Sequence, residues 1–155
     1  MISAGISKLG KTSIHFVEPR VKINSRYYCN TLLEGLLEEM DQLSNGDYVF
    51  QQDGARSHTS EYSLAYLKRN VPELLEPHFW PRNSCDLNPL DYGIWGIMQQ
   101  RVYRERINTV DELKARFRQV WNNLTQDSID RCLDAFRKRL HVVIRAKGGH
   151  IEHFV

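Results

Sequence analysis

The chain has 155 residues, 41% of them hydrophobic and 26% charged, with a formal net charge of +2. That is one domain's worth of ordinary globular chain, long enough to bury a core. No apolar run reaches the ~20 residues of a membrane-spanning helix, and no charged-then-apolar leader opens the chain. Three scattered cysteines, Cys29, Cys85 and Cys132, fit neither a disulfide framework nor a zinc spacing and point to a reducing compartment.

In chain order, Ile2–Ile6 and Thr12–Val17 are short β-branched runs around Lys8-Leu9-Gly10-Lys11, which predicts a β-hairpin. Pro19 ends the second strand, since proline cannot donate to a ladder. From about Ser25 to Leu43 the spacing is helical, with Tyr28, Leu32, Leu36, Met40 and Leu43 in one apolar stripe. Ser44-Asn45-Gly46 stops that helix.

Tyr48-Val49-Phe50 then favours a strand, ended by Gly54, with Asp53 at its C-terminal end before a helix beginning near Ser57 or Thr59. In open α/β sheets, chemistry collects beyond the carboxyl ends of strands. A carboxylate there, followed by Gly54, Arg56 and His58, suits a metal ion facing a phosphate. The same residues also suit an Asp that opens a turn and caps the next helix.

A helix over about Thr59–Asn70 would cover the sheet with Tyr62, Tyr66 and Leu67, and Glu73–Phe79 reads as a further short strand. Strand, helix, strand predicts a right-handed parallel crossover, hence a mixed sheet in an α/β or α+β domain. After the loop Trp80–Asp86, Asn88 caps a helix with Pro89 at its first position and Asp91 at its third. An acid there complements the helix dipole with no catalysis required.

Thr109-Val110-Asp111-Glu112 is a capping box opening a helix with Leu113, Phe117, Val120 and Leu124 on one side. Thr125 caps another, carrying Ile129, Cys132, Leu133, Phe136 and Leu140. These stripes predict packing of the two helices on each other or on the sheet. His150 and His153 belong to a polar tail over 148–155. Residues 1–100 carry 9 basic and 12 acidic side chains, whereas 101–155 carry 12 basic and 7 acidic. A basic helical part beside an acidic one suits a polyanion held against a metal site.

Asp53 and Asp91 are separated by 37 residues, and each stands where the backbone turns into or begins a helix. Carboxylates that converge from separate elements can bridge two Mg²⁺ or Mn²⁺ ions about 4 Å apart and act on a phosphodiester.

Gln51-Gln52-Asp53-Gly54-Ala55-Arg56-Ser57-His58-Thr59 resembles the block around the second catalytic aspartate of mariner-type transposases of the Tc/mariner superfamily. Trp80-Pro81-Arg82-Asn83-Ser84-Cys85-Asp86-Leu87-Asn88-Pro89-Leu90-Asp91 resembles the block ending in their third catalytic acid. Asp91 takes the catalytic place in a three-aspartate branch; Asp86 corresponds to an aspartate before it that is not usually catalytic. Cys85 stands where proline is common. Gly5-Ile6-Ser7, Gly10-Lys11-Thr12 and Gly148-Gly149-His150 are also similar to the superfamily.

The resemblance implies a ribonuclease H-like mixed sheet with flanking helices, and metal-dependent DNA cleavage and strand transfer using Mg²⁺ or Mn²⁺. It makes Asp53 and Asp91 catalytic metal ligands, and transposon ends and target DNA the partners, with a homodimer and a nuclear location (cytoplasmic for an unused copy). Arg56, His58, Arg82, Arg101 and Arg104 are the candidate nucleic-acid contacts.

It further implies that the family's first, central strand and its aspartate lie upstream of this chain, as does the helix-turn-helix region. Glu18 and Asp47 do not match that aspartate. The expectation is therefore a partial catalytic domain over 1–155: sheet and acidic site to about residue 100, basic helical part over about 101–147, then the tail. Open strand edges, impaired activity and pairing with a partner chain follow as expectations. The alternative is a non-catalytic nucleic-acid-binding or assembly module, in which Arg101, Arg104, Arg106, Arg116, Arg118, Arg137, Lys138 and Arg139 matter more than the aspartates. In a purely structural domain, Asp53 and Asp91 serve only as caps.

Overall fold

The computed structural model describes residues 1–81 and 84–147, which divide into two compact units, Met1–Ser84 and Cys85–Val155. The first unit opens with the hairpin, in two steps. β1 (Ile2–Ser3) pairs antiparallel with β4 (His15–Phe16), and β2 (Ile6–Ser7) with β3 (Gly10–Lys11) across the two-residue turn Lys8-Leu9. Gly10 and Lys11 therefore belong to the second strand, not to the connection.

Between the two ladders the register slips by one, so that Thr12–Ile14 oppose Ala4 and Gly5 in a β-bulge. The bulge is held from both sides. The Gly5 amide donates to buried Thr12 Oγ1 (2.8 Å), and the Ser13 amide and hydroxyl both donate to the Glu39 carboxylate. Gly5 permits the close approach: a Cβ there would meet Met40 Cε at 2.5 Å and Thr12 Cγ2 at 3.3 Å.

The long helix is read correctly in extent but not in its winding. α1 (Ser25–Tyr27) passes through a π-helical turn (Tyr28–Leu33) into α2 (Glu34–Ser44), which ends on Asn45 in the left-handed region (φ 54°). The π turn widens the buried face: Cys29, Leu33 and Leu37 join Tyr28, Leu32 and Leu36 in the core, while Leu43 lies exposed.

β5 (Val49–Phe50) runs parallel to β6 (Glu73–Leu74), with α3 (Glu61–Asn70) between them in sequence. α3 starts later than the sequence suggests, because Ser60 caps it by accepting from the Ser63 amide. Its buried face is Ser63 and Leu67, with Tyr62 exposed. Leu67, fully enclosed among Phe50, Leu33, Leu37 and their neighbours, contributes about 1.5–3 kcal/mol of burial. Residues Pro77–Phe79 form a 3-10 turn rather than a continuing strand.

Among the described residues the strands form three separate two-stranded ladders, with no bond joining the hairpin to β5.

In the second unit a 3-10 turn (Cys85–Leu87) precedes a π turn (Leu90–Ile94) that leads into α4 (Trp95–Val102). The Asn88 cap is present: its Oδ1 accepts from the Leu90 amide (3.2 Å) and its carbonyl from the Asp91 and Tyr92 amides. α5 (Val110–Asn122) starts at the predicted box, with Thr109 Oγ1 accepting from the Glu112 amide. Its most buried residue is Trp121, which the predicted stripe omits, and Trp121 stacks on Trp95 (6.1 Å between ring centroids). α5 packs on α4, and α6 (Gln126–Arg145) packs on the turns over Cys85–Ile94. No described helix is long and apolar enough to cross a membrane.

Candidate active site

Asp53 lies three residues beyond β5, because the strand is only two residues long. Its Oδ1 accepts from the Ala55 amide (3.0 Å), so the turn-opening role is real, but the capping role passes to Ser60. The same oxygen stands 2.5 Å from His58 Nδ1. This hydrogen bond chiefly holds the Asp53 carboxyl below the usual carboxylate range, against the effect of burial and with help from the Ala55 amide and the imidazole charge. An ionised carboxylate places the shared proton on Nδ1. Both contacts fall on Oδ1, and the Asp53 side chain is 43% exposed.

His58 is thus not a free arm for phosphate. Its ring stacks on Tyr28 (4.2 Å between centroids, planes 29° apart), and its carbonyl accepts from Gln52 Nε2 (3.1 Å). The buried Tyr28 hydroxyl in turn donates to Gln52 Oε1 (2.6 Å). Sequence reasoning set Tyr28 in the core stripe and passed over this second role; an Asp followed by Gly, Ala and, five residues on, His was the available signal. Arg56 stands exposed in the turn, where it can meet solvent anions.

In the other unit Asp91 is exposed at the first residues of the π turn. The turn is braced against α6. The Tyr92 hydroxyl donates to the Cys132 carbonyl (2.5 Å), and the Arg139 guanidinium lies 3.9 Å over the Tyr92 ring while donating to the Asp86 carbonyl (3.2 Å). Asp86 is buried beneath this brace, in keeping with a structural part.

The basic residues divide. Arg101 and Arg104 are exposed on and just after α4. Arg116 instead turns inward, donating to the Val102 and Glu105 carbonyls and pairing with Glu105 and Glu112. Arg139 is likewise engaged in the brace. Arg82 and the tail with His150 and His153 lie outside the described residues.

Mg²⁺ and Mn²⁺ take hard oxygen donors and keep positions open for phosphate. The two exposed carboxylates fit that chemistry as donors. Among the described residues no group of three or more His, Cys, Asp or Glu side chains could hold a metal ion by itself.

No family model matches the chain. It is 31% identical over 155 residues to the Tc3 transposase of Caenorhabditis elegans, covering 99% of this chain and 45% of that protein. It is 29% identical over 136 residues to the Tcb2 transposase of Caenorhabditis briggsae, covering 85% and 48% respectively. The chain thus spans about half the length of these relatives. In fold it matches the catalytic domain of the Mos1 mariner transposase with a TM-score of 0.81 at 18% identity, over 97% of this chain and 75% of that one. Structures of that domain with Mn and with Mg, and the Mos1 paired-end complex with the left transposon end, match alike. The chain's homologues are therefore Tc1/mariner transposases, and its fold is the ribonuclease H-like fold of the Mos1 mariner catalytic domain.

Proposed function

We propose that this chain is part of a transposase catalytic domain that cleaves and transfers DNA strands, with Asp53 and Asp91 as two of its metal-binding carboxylates. The observation that carries the reading is the setting of Asp53: its side chain is 43% exposed, and among the described residues its hydrogen bonds, from His58 and the Ala55 amide, both fall on Oδ1. A carboxylate serving merely as a turn former does not need a histidine on the same oxygen.

Asp53 and Asp91 would hold Mg²⁺ or Mn²⁺, and the bound ions would activate the attacking oxygen and stabilise the leaving one. Every other task falls to the chain's own groups. His58 keeps Asp53 charged, the Tyr92–Arg139 brace steadies the Asp91 turn, and exposed Arg56, Arg101 and Arg104 supply positive charge for the DNA backbone. Transposon ends and target DNA are the substrates, a homodimer is the working assembly, and the nucleus is where it meets DNA.

The test is Mn²⁺-dependent nicking of supercoiled plasmid by the chain, beside Asp53→Asn and Asp91→Asn. Asn keeps the turn at residue 53, because its Oδ1 still accepts from the Ala55 amide. Nicking that both substitutions abolish without loss of fold supports the proposal. No nicking, with salt-sensitive DNA binding intact, favours the non-catalytic nucleic-acid module instead.

A further inference from the structure

The residues that govern the candidate site reach back from Asp53 to a π turn on another helix. Tyr28, the first residue of that turn, is 5% exposed and makes two contacts that converge on residue 58. Its ring lies under the imidazole at 4.2 Å, and its hydroxyl fixes Gln52, whose amide holds the His58 carbonyl. The His58 side chain is thereby held at its ring and at its backbone, and what it presents to Asp53 is Nδ1, at 2.5 Å from Oδ1. Among the described residues both hydrogen bonds of the carboxylate meet Oδ1, so Oδ2 is the oxygen they leave unused.

We propose that Tyr28 and Gln52 are positioning residues for Asp53: they lock the His58 imidazole so that it occupies Oδ1 and leaves Oδ2 for a divalent cation. The proposal rests on the reading of Asp53 as a metal ligand. Groups that orient a ligand from behind matter nearly as much as the ligand. Burial, with the Asp53 charge second, pushes the Tyr28 hydroxyl pKa up, so it remains a donor at any working pH. Gln52 is the link that turns a core tyrosine into a part of the site. Its Oε1 faces Tyr28 while its Nε2 faces the residue 58 carbonyl, and reversing the amide would leave its oxygen against that carbonyl, an acceptor facing an acceptor.

The experiment compares the chain with Tyr28→Phe, Gln52→Met, the double variant and Asp53→Asn. Two readouts are taken: Mn²⁺ affinity from water-proton relaxation, and the hydrogen-bonded His58 Nδ1–H resonance in the metal-free chain. Phe keeps the stacked ring and the core volume, and Met keeps the length of Gln52, so both variants are built to fold. The expected result is about three- to tenfold weaker Mn²⁺ binding in each single variant, with the double no worse than the singles. In both, the Nδ1–H resonance broadens or is lost through exchange.

Unchanged Mn²⁺ affinity with a sharp Nδ1–H signal in both single variants overturns the positioning role. Asp53→Asn separates the two claims. If it leaves Mn²⁺ binding intact, the metal-ligand reading fails, and the proposal of an oxygen kept for a cation fails with it. If it abolishes binding while the Tyr28 and Gln52 variants bind normally, only the positioning role is lost.

Discussion

Two glycines three residues apart should respond to alanine with opposite signs. Gly93 lies in the π turn that carries Asp91, and a Cβ there would fall 2.5 Å from Cys132 Sγ and 3.4 Å from its Cβ. Gly96 lies exposed on α4 with nothing within 4 Å of the same added atom. In an exposed helix, alanine is worth up to about 1 kcal/mol over glycine, and Gly96→Ala should gain about 0.5–1 kcal/mol. Gly93→Ala has the same backbone advantage but overpacks the contact with α6, which costs about 1–3 kcal/mol. The sulfur has few places to go: helical χ1 choices are limited, and the Cys132 carbonyl is tied to Tyr92. The net loss should be about 1–2 kcal/mol, and adding Cys132→Ala, which leaves only the ordinary 3.4 Å contact, should recover most of it. Urea unfolding followed by the fluorescence of the Trp95–Trp121 pair reports on this unit. A Gly93→Ala chain as stable as the Gly96→Ala chain would refute the argument, as would a loss that Cys132→Ala fails to relieve.

Glu39 supplies a pH test of the bulge. Burial alone would raise its pKa, but the Ser13 hydroxyl and amide, with His15, outweigh it and hold the carboxyl below its ordinary value. A folded pKa below the unfolded one gives stability that is present above the unfolded value and lost as pH falls through the folded one. Glu39→Gln should therefore melt lower near neutrality and converge with the unaltered chain in acid, as thermal melts across roughly pH 3–7 would record. Among the arginines, Arg101→Ala and Arg104→Ala should each reduce the slope of DNA affinity against salt by about 1 with stability unchanged. Arg116→Ala should leave that slope alone but lower stability by about 1–3 kcal/mol, because the Val102 and Glu105 carbonyls lose a charged donor.

What the sequence made legible was local. Asn88 and Thr109 cap where their side chains say they should, since a cap needs only an oxygen two or three residues ahead of an amide. Asn45-Gly46 stops its helix for a similarly short-range reason. The two acidic blocks carried the family, and the homologous transposases and the mariner fold agree with that. What was not legible depended on neighbours distant in sequence. The stripe through Tyr28, Leu32 and Leu36 advances by four, which an α-helix tolerates, so nothing local marks the π turn that also buries Cys29 and Leu33. Trp121 was passed over for Val120 because the choice between adjacent positions is settled by Trp95 across the helix pair. Arg116 and Arg139 read as surface charge, yet carbonyls from other segments and the Tyr92 ring draw them inward. The setting of His58, with the Tyr28 ring beneath it and Asp53 beside it, is likewise out of reach of distance along the chain.

The π turn at Tyr28–Leu33 has a consequence for how this chain tolerates length changes. A π turn accommodates one residue more than the α-helix around it. Deleting a residue such as Asn30 or Thr31, both exposed, would let the segment relax into plain α-helix with its hydrogen bonds restored. The helix would survive, and the residues before the deletion would keep roughly their facing relative to α2, because one turn is still one turn after it gives up its extra residue. Tyr28 would then stay beneath the imidazole. Removing a residue from the regular helix of α2 instead would turn everything before it by about 100° and carry Tyr28 away from the aspartate's turn.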